Sequence, residues 1–197
     1  MIWPVPASHE KKVPAAGMLG SFWECRGDRY HCGVDIYAPE GSQVLALESG
    51  LLVDMGVFTM PEQVDYWNKT YFIVLMHRSD LFVCYAELDA SVFENDDFIS
   101  EGECIGHVRQ VLNPEKISGH VPDYIRQLYR HRQLSMLHLE MFSAYPCEIE
   151  DYMGGNCYQS NKPEFLLNPA DYMKSVETID AECSAIKHAF DKSEKEF

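Results

Sequence analysis

The chain has 197 residues, 46% hydrophobic and 12% aromatic, which supplies one sizeable core and excludes a disordered or low-complexity chain. Its 16 basic residues stand against 31 acidic ones, a formal charge of −15, which excludes a nonspecific nucleic-acid binder because phosphate neutralisation needs clustered lysine and arginine. No apolar run approaches the roughly 20 residues that span a bilayer.

The opening Met1-Ile2-Trp3-Pro4-Val5-Pro6 lacks a basic stretch followed by an apolar core. A cytoplasmic protein is therefore expected, or a periplasmic or secreted one whose signal has been removed. Strands are then expected near 34–37, 44–47, 51–55, 71–77, 81–87, 103–108 and 136–142. Such short runs between turn residues read as an all-β dominated domain, an antiparallel, sandwich-like sheet. Two insertions interrupt it. Residues 58–69, with Pro61, Tyr66 and Trp67, are expected to loop over a sheet edge. Within 109–134, Pro122 and Asp123 suit a first helical turn, and Ile125, Leu128 and Tyr129 form an apolar stripe opposite a solvated face of Arg126, Arg130, His131 and Arg132. This short inserted helix is a candidate lid or specificity element.

Asn168, Pro169 and Asp171 mark the start of a C-terminal helix. Residues 181–197, rich in lysine and glutamate, read as a polar helix or tail. With no internal repeat, residues 1–180 form a single domain. Seven cysteines leave at least one unpaired. Cys147 with Cys157, or Cys25 with Cys32, would pair in an oxidising compartment, but the missing signal favours free, buried thiols in a reducing cytosol.

The chemistry concentrates in two places, His31 and Asp35 in Tyr30-His31-Cys32-Gly33-Val34-Asp35, and His138 in Met136-Leu137-His138-Leu139-Glu140. Two imidazoles and a carboxylate are the ligand set of an open catalytic zinc site. Side chains alternate along a strand, so Met136, His138 and Glu140 share one face and Leu137, Leu139 and Met141 the other. A satisfied core histidine is the alternative for His138.

These segments resemble the lysostaphin/LytM-type zinc metallo-endopeptidases. Their pattern is His-x-Gly-x-Asp-hydrophobic, then Gly-Thr/Ser-x-Val-x-Ala, Gly-x-Val and a later His-x-His. His31 to Ile36 and Gly41-Ser42-Gln43-Val44-Leu45-Ala46 match it, followed by Gly50-Leu51-Leu52-Val53, Tyr85-Ala86-Glu87-Leu88 and Leu137-His138-Leu139. The resemblance covers most of residues 1–172 apart from the two insertions. It implies zinc held by His31, Asp35 and His138, a peptide or peptidoglycan-like substrate, and peptide-bond hydrolysis.

Two departures stand out. The family's Tyr-x-His-Leu histidine is here Glu87, and the first histidine of its His-x-His is Met136. A carboxylate is a competent general base for metal-bound water. A thioether donates no hydrogen bond to a developing oxyanion. Two expectations therefore stand side by side: a peptidase with Glu87 as catalytic base, or a degenerate zinc-binding domain serving as a binding or regulatory module or structural subunit. Glu140 is expected either to orient a ligand imidazole from behind or to be a solvated strand-end charge. His77 is expected to be second-rank or structural, and His107, His120 and His131 are weak candidates.

Overall fold

The computed structural model describes residues 2–90, 93–145 and 149–174. Its elements are β1 (Tyr30–His31), β2 (Val34–Tyr37), β3 (Gln43–Leu45), β4 (Gly50–Thr59), β5 (Thr70–His77), β6 (Phe82–Leu88), β7 (Phe98–Ile99), β8 (Cys104–His107), β9 (Arg109–Gln110), α1 (Asp123–Arg130), β10 (Ser135–Phe142), β11 (Tyr152–Met153), β12 (Asn156–Cys157) and β13 (Leu166–Leu167). An eight-stranded sheet in the order β13-β10-β6-β5-β4-β7, with β2 and β9 also paired to β10, dominates the fold. Two small sheets, β1-β12-β11 and β3-β8, complete it, and every ladder among the described residues is antiparallel. The expected fold class is the observed one.

Strand periodicity sorts the sheet into two faces. Val34, Ile36, Ile73, Leu75, Val83, Tyr85, Leu137, Leu139 and Met141 enter the main core. The alternate positions Val74, Cys84, Ala86 and Phe142 belong to a separate cluster on the other face. Fully burying one such side chain stabilises by about 1.5–3 kcal/mol. Asp35, His138 and Glu140 have the opposite parity from the core residues, so the pattern that fills the core also delivers them together on the other face.

One irregularity decides where Glu87 points. By strict alternation it would join Val83 and Tyr85 in the main core. The register slips, however: Tyr71 pairs with Leu88 and Phe72 with Ala86, leaving Glu87 as an extra residue with φ of 66°. Such a bulge re-aims a side chain, and the left-handed conformation costs a non-glycine residue roughly 1–2 kcal/mol.

Helix α1 packs at the Met136 end of β10. Tyr124, Ile125 and Leu128 are its buried residues, and they join Tyr66, Trp67, Val111, Leu112, Val121 and Met136 in a second apolar cluster. At eight residues, α1 is shorter than the roughly 12–15 that sustain an isolated helix, so packing holds it in place.

Three expectations need correction here. Tyr129 is not part of the apolar stripe: it is 46% exposed, and Tyr124 takes the inward position one helical face round. The first insertion begins later than expected, because β4 continues through Phe58 and Thr59. Its Tyr66 and Trp67 are buried against α1 rather than laid over a free sheet edge.

The C-terminal helix begins as expected, with Ala170 N–H donating to Asn168 Oδ1 at 3.0 Å and helical backbone over 169–174. The expected polar segment 181–197 lies outside the described residues. Cys25, Cys32, Cys84, Cys104 and Cys157 are free thiols, so a Cys25–Cys32 bridge is not present; Cys147 lies outside the described residues.

Candidate metal centre and active site

Asp35 sits opposite His138 in the β2–β10 ladder, and His31 reaches the same point from β1, three residues before β2 begins. His138 Nδ1 lies 2.9 Å from Asp35 Oδ1 and 3.0 Å from His31 Nε2, and His31 Nε2 lies 3.1 Å from Asp35 Oδ1. All three side chains are buried. Among the described residues this is the one group of three or more histidine, cysteine or carboxylate side chains placed to hold a metal ion. No cysteine belongs to it; Cys32 lies instead in the apolar cluster with Cys84 and Cys157.

The outward atoms of the group are already spent. His31 Nδ1 donates to Ser21 O at 2.9 Å, and His138 Nε2 donates to Glu140 Oε1 at 2.9 Å. Tyr152 hydroxyl in turn holds both Glu140 oxygens at 2.9 and 3.0 Å. These outer bonds fix each imidazole tautomer and aim its remaining nitrogen inward, which is how proteins prepare metal ligands. Glu140 is thus buried against the His138 imidazole rather than solvated at a strand end. Two glycines grip the His138 ring. A Cβ at Gly33 would collide with Leu139 O and stand 2.9 Å from His138 Nε2, and one at Gly155 would stand 2.6 Å from His138 Nε2.

The electrostatics of the group fit a cation. Burial alone would raise the Asp35 carboxyl, but the imidazoles and Arg26 outweigh it and hold it well below the usual range. Burial lowers His138, yet hydrogen bonds to Asp35 and Glu140 prevail and raise it to about 10. Burial and the Arg26 charge bring His31 down to about 4. The cluster thus sets an ionised carboxylate against two inward-facing imidazole nitrogens. That is the place where a divalent ion with nitrogen and oxygen ligands fits, so the donor set suits zinc.

A cavity of about 30 Å³ adjoins the cluster, lined by Asp35, His138, Glu87, Arg26, Met136 and Asn156 and roofed by Trp67 and the α1 residues Tyr124, Ile125 and Leu128. This is room for about one water. Glu87 contributes to this wall without joining the metal-type group, and its Oε2 is buried with no hydrogen-bond partner. Burial, then the Asp35 charge, raises its carboxyl to about 8.

Met136 does not leave an open vacancy where the family pattern has histidine. It packs among Trp67, Tyr124 and Leu128. Arg26, which sequence reasoning missed, has its Nη2 3.2 Å from Asp35 Oδ2, Nε 3.1 Å from Glu24 Oε2 and Nη1 3.1 Å from Asn156 Oδ1. Nothing in the spacing of residues 20–29 signals that contact; it depends on how the loop before β1 folds back.

The remaining candidates separate from the site. His77 is buried with its Nε2 3.1 Å from the Tyr85 hydroxyl, on the core face of the sheet and away from His138. His107 pairs with Asp89 at 3.1 Å on β8, and His120 and His131 are exposed.

The β-rich fold thus buries two imidazoles and a carboxylate within 3.1 Å of one another, and the adjoining cavity is lined by a carboxyl whose Oε2 is unpartnered. The model of peptidase family M23 matches residues 29–121, so this stretch of the chain is similar to that family. The match contains His31, Asp35 and Glu87 and ends before α1 and His138. Among solved structures, the antimicrobial peptidase lysostaphin from Staphylococcus simulans is similar at 16% identity over 88% of this chain and 55% of its own, with a TM-score of 0.51. The chain thus spans about half of that protein, and the likeness is one of fold. The catalytic domain of the same peptidase aligns at 16% identity over 74% of this chain and 80% of its own, with a TM-score of 0.44. A putative glycyl-glycine endopeptidase lytM from Ruminococcus gnavus aligns at 19% identity over 74% of this chain and 54% of its own, also with a TM-score of 0.44. No curated protein matches the chain.

Proposed function

We propose that the chain is a zinc-dependent peptidase acting on cell-wall-type or glycine-rich peptides. The observation that carries this reading is the trio His31, Asp35 and His138, with inward ligand atoms 2.9–3.1 Å apart and outward atoms already bonded. Zinc, when bound, lowers the pKa of its water to about 7 and polarises a carbonyl. The residues of the chain do the rest. Asp35 and the two imidazoles hold the ion, Glu140 and Tyr152 keep His138 in its tautomer, and Glu87 takes and returns a proton at its unpartnered Oε2. Helix α1 lines one wall of the cavity, where Tyr124, Ile125 and Leu128 shield the charged groups from part of the solvent, and a space of about 30 Å³ must widen for a peptide to enter.

That narrowness favours a second reading. With Met136 packed against α1 and the cavity too narrow for a peptide, the same domain, zinc-loaded, serves as a binding or regulatory module. The deciding experiment incubates zinc-loaded protein with peptidoglycan fragments and oligoglycine peptides and follows new amino termini. Chelator-sensitive cleavage is the expected result; a zinc-loaded protein that cleaves nothing over a broad range of pH and peptide length supports the module.

A further inference from the structure

The missing histidine at Met136 removes a hydrogen-bond donor from the reaction, yet the cavity contains a side chain with the required charge. Arg26 is the one lysine or arginine among the cavity-lining residues, its side chain only 6% exposed. A guanidinium carries five N–H donors. Three of the Arg26 nitrogens each make one bond, Nε to Glu24, Nη1 to Asn156 and Nη2 to Asp35, which leaves two N–H groups on the terminal nitrogens. The Tyr124 ring covers the guanidinium plane, 4.5 Å from Cζ to the ring centroid. The group is thus clamped from three sides beside the metal-type cluster, and its charge is fixed at all relevant pH because arginine does not deprotonate.

We propose that Arg26 is the oxyanion-stabilising residue of this chain, donating its unspent N–H to the substrate carbonyl oxygen as negative charge develops there. Its position next to Asp35 places the charge at the ligand cluster, where preorganised donors act without reorganising. Met136 lines the same cavity, so the thioether and the guanidinium divide what one histidine does in the family pattern: the first fills space, the second carries charge. This inference rests on the peptidase reading.

The test compares wild type with Arg26→Gln, Arg26→Lys and Arg26→Gln combined with Met136→His, all zinc-loaded. Four quantities are measured: zinc content, kcat and KM on an oligoglycine peptide, and the dissociation constant of a glycyl phosphinate pseudopeptide, whose tetrahedral anion mimics the transition state. Arg26→Gln is expected to lower kcat about 100-fold, leave KM within about 3-fold, and weaken the phosphinate in parallel with kcat. Arg26→Lys recovers part of the loss, and adding Met136→His to Arg26→Gln recovers at least about 10-fold, because either side chain restores an N–H donor. A residue that only holds Asp35 in place gives no such rescue. The proposal is overturned by unchanged kcat in Arg26→Gln, by loss of zinc from both single variants, or by a kcat loss that leaves phosphinate affinity intact. A wild type that cleaves nothing brings down the peptidase reading first; an active wild type with an equally active Arg26→Gln brings down the role of Arg26 alone.

Discussion

Asp35 and His138 face each other in register across the β2–β10 ladder, with Oδ1 and Nδ1 2.9 Å apart. A cross-strand pair is held by two backbones at once, so the separation of these ligands is a property of the sheet rather than of flexible side chains. His31 needs only a short turn to complete the set.

The grip on His138 makes a glycine the most sensitive position outside the ligands. Gly33→Ala places a methyl against Leu139 O and the His138 ring, and the ring must swing away from Asp35. Zinc affinity is expected to fall at least 10-fold, the range in which loss of ligand orientation falls. Titration with a competing chelator measures this, and a Gly33→Ala variant that binds zinc as tightly as wild type contradicts the account of the cage.

Glu87 is asked for proton transfer and not for ligation. Glu87→Gln keeps size and hydrogen bonding but removes the base. We expect kcat to fall by about 10²–10⁴ with zinc content unchanged. Loss of metal in this variant places Glu87 among the ligands instead.

Helix α1 is held by packing, and loosening it separates a lid from a scaffold. Leu128→Ala removes a buried side chain from its inner face and weakens docking by about 2–5 kcal/mol. If α1 is the gate, kcat/KM for a short glycine peptide rises while the main transition in thermal unfolding moves little. A lower melting temperature with no gain in rate shows that α1 belongs to the scaffold.

His77 gives a pH dependence independent of the metal. Burial lowers it to about 4, against the weaker raising effect of Glu48. Its folded pKa lies below its unfolded value of about 6.5, so the unfolded chain binds the proton more tightly. The contribution is complete above pH 6.5 and is lost as pH falls toward 4, at up to about 1.4 kcal/mol per pH unit. Denaturant unfolding of the metal-free protein between pH 7 and 4 should show a shallower acid slope in His77→Gln than in wild type; parallel slopes refute the assignment.

The strands were legible in the sequence because alternation and turn residues are short-range signals, whereas the trio His31, Asp35 and His138, whose members lie up to 107 residues apart, was legible through the family resemblance whose motifs it fills. Alternation along β10 separates His138 and Glu140 from Leu137 and Leu139, and turn residues bound each strand. The orientation of Glu87 was not legible, because a bulge reverses the parity of one residue and the bulge lies in pairing with β5, which local sequence does not encode. Arg26 and Tyr152 escaped for a related reason: their contacts with Asp35 and Glu140 join residues 9 and 12 positions apart through irregular loops. The helical period of 122–131 located α1 but chose Tyr129 over Tyr124 for its inner face, a choice settled by Trp67 and Met136, which await it in the fold.

The central claim is that His31, Asp35 and His138 bind one zinc ion. Elemental analysis of purified, zinc-equilibrated protein tests it most directly, comparing wild type with His138→Ala at matched folding by circular dichroism. The account predicts about one equivalent of zinc in the wild type and little in the variant; a folded His138→Ala protein with undiminished zinc contradicts it.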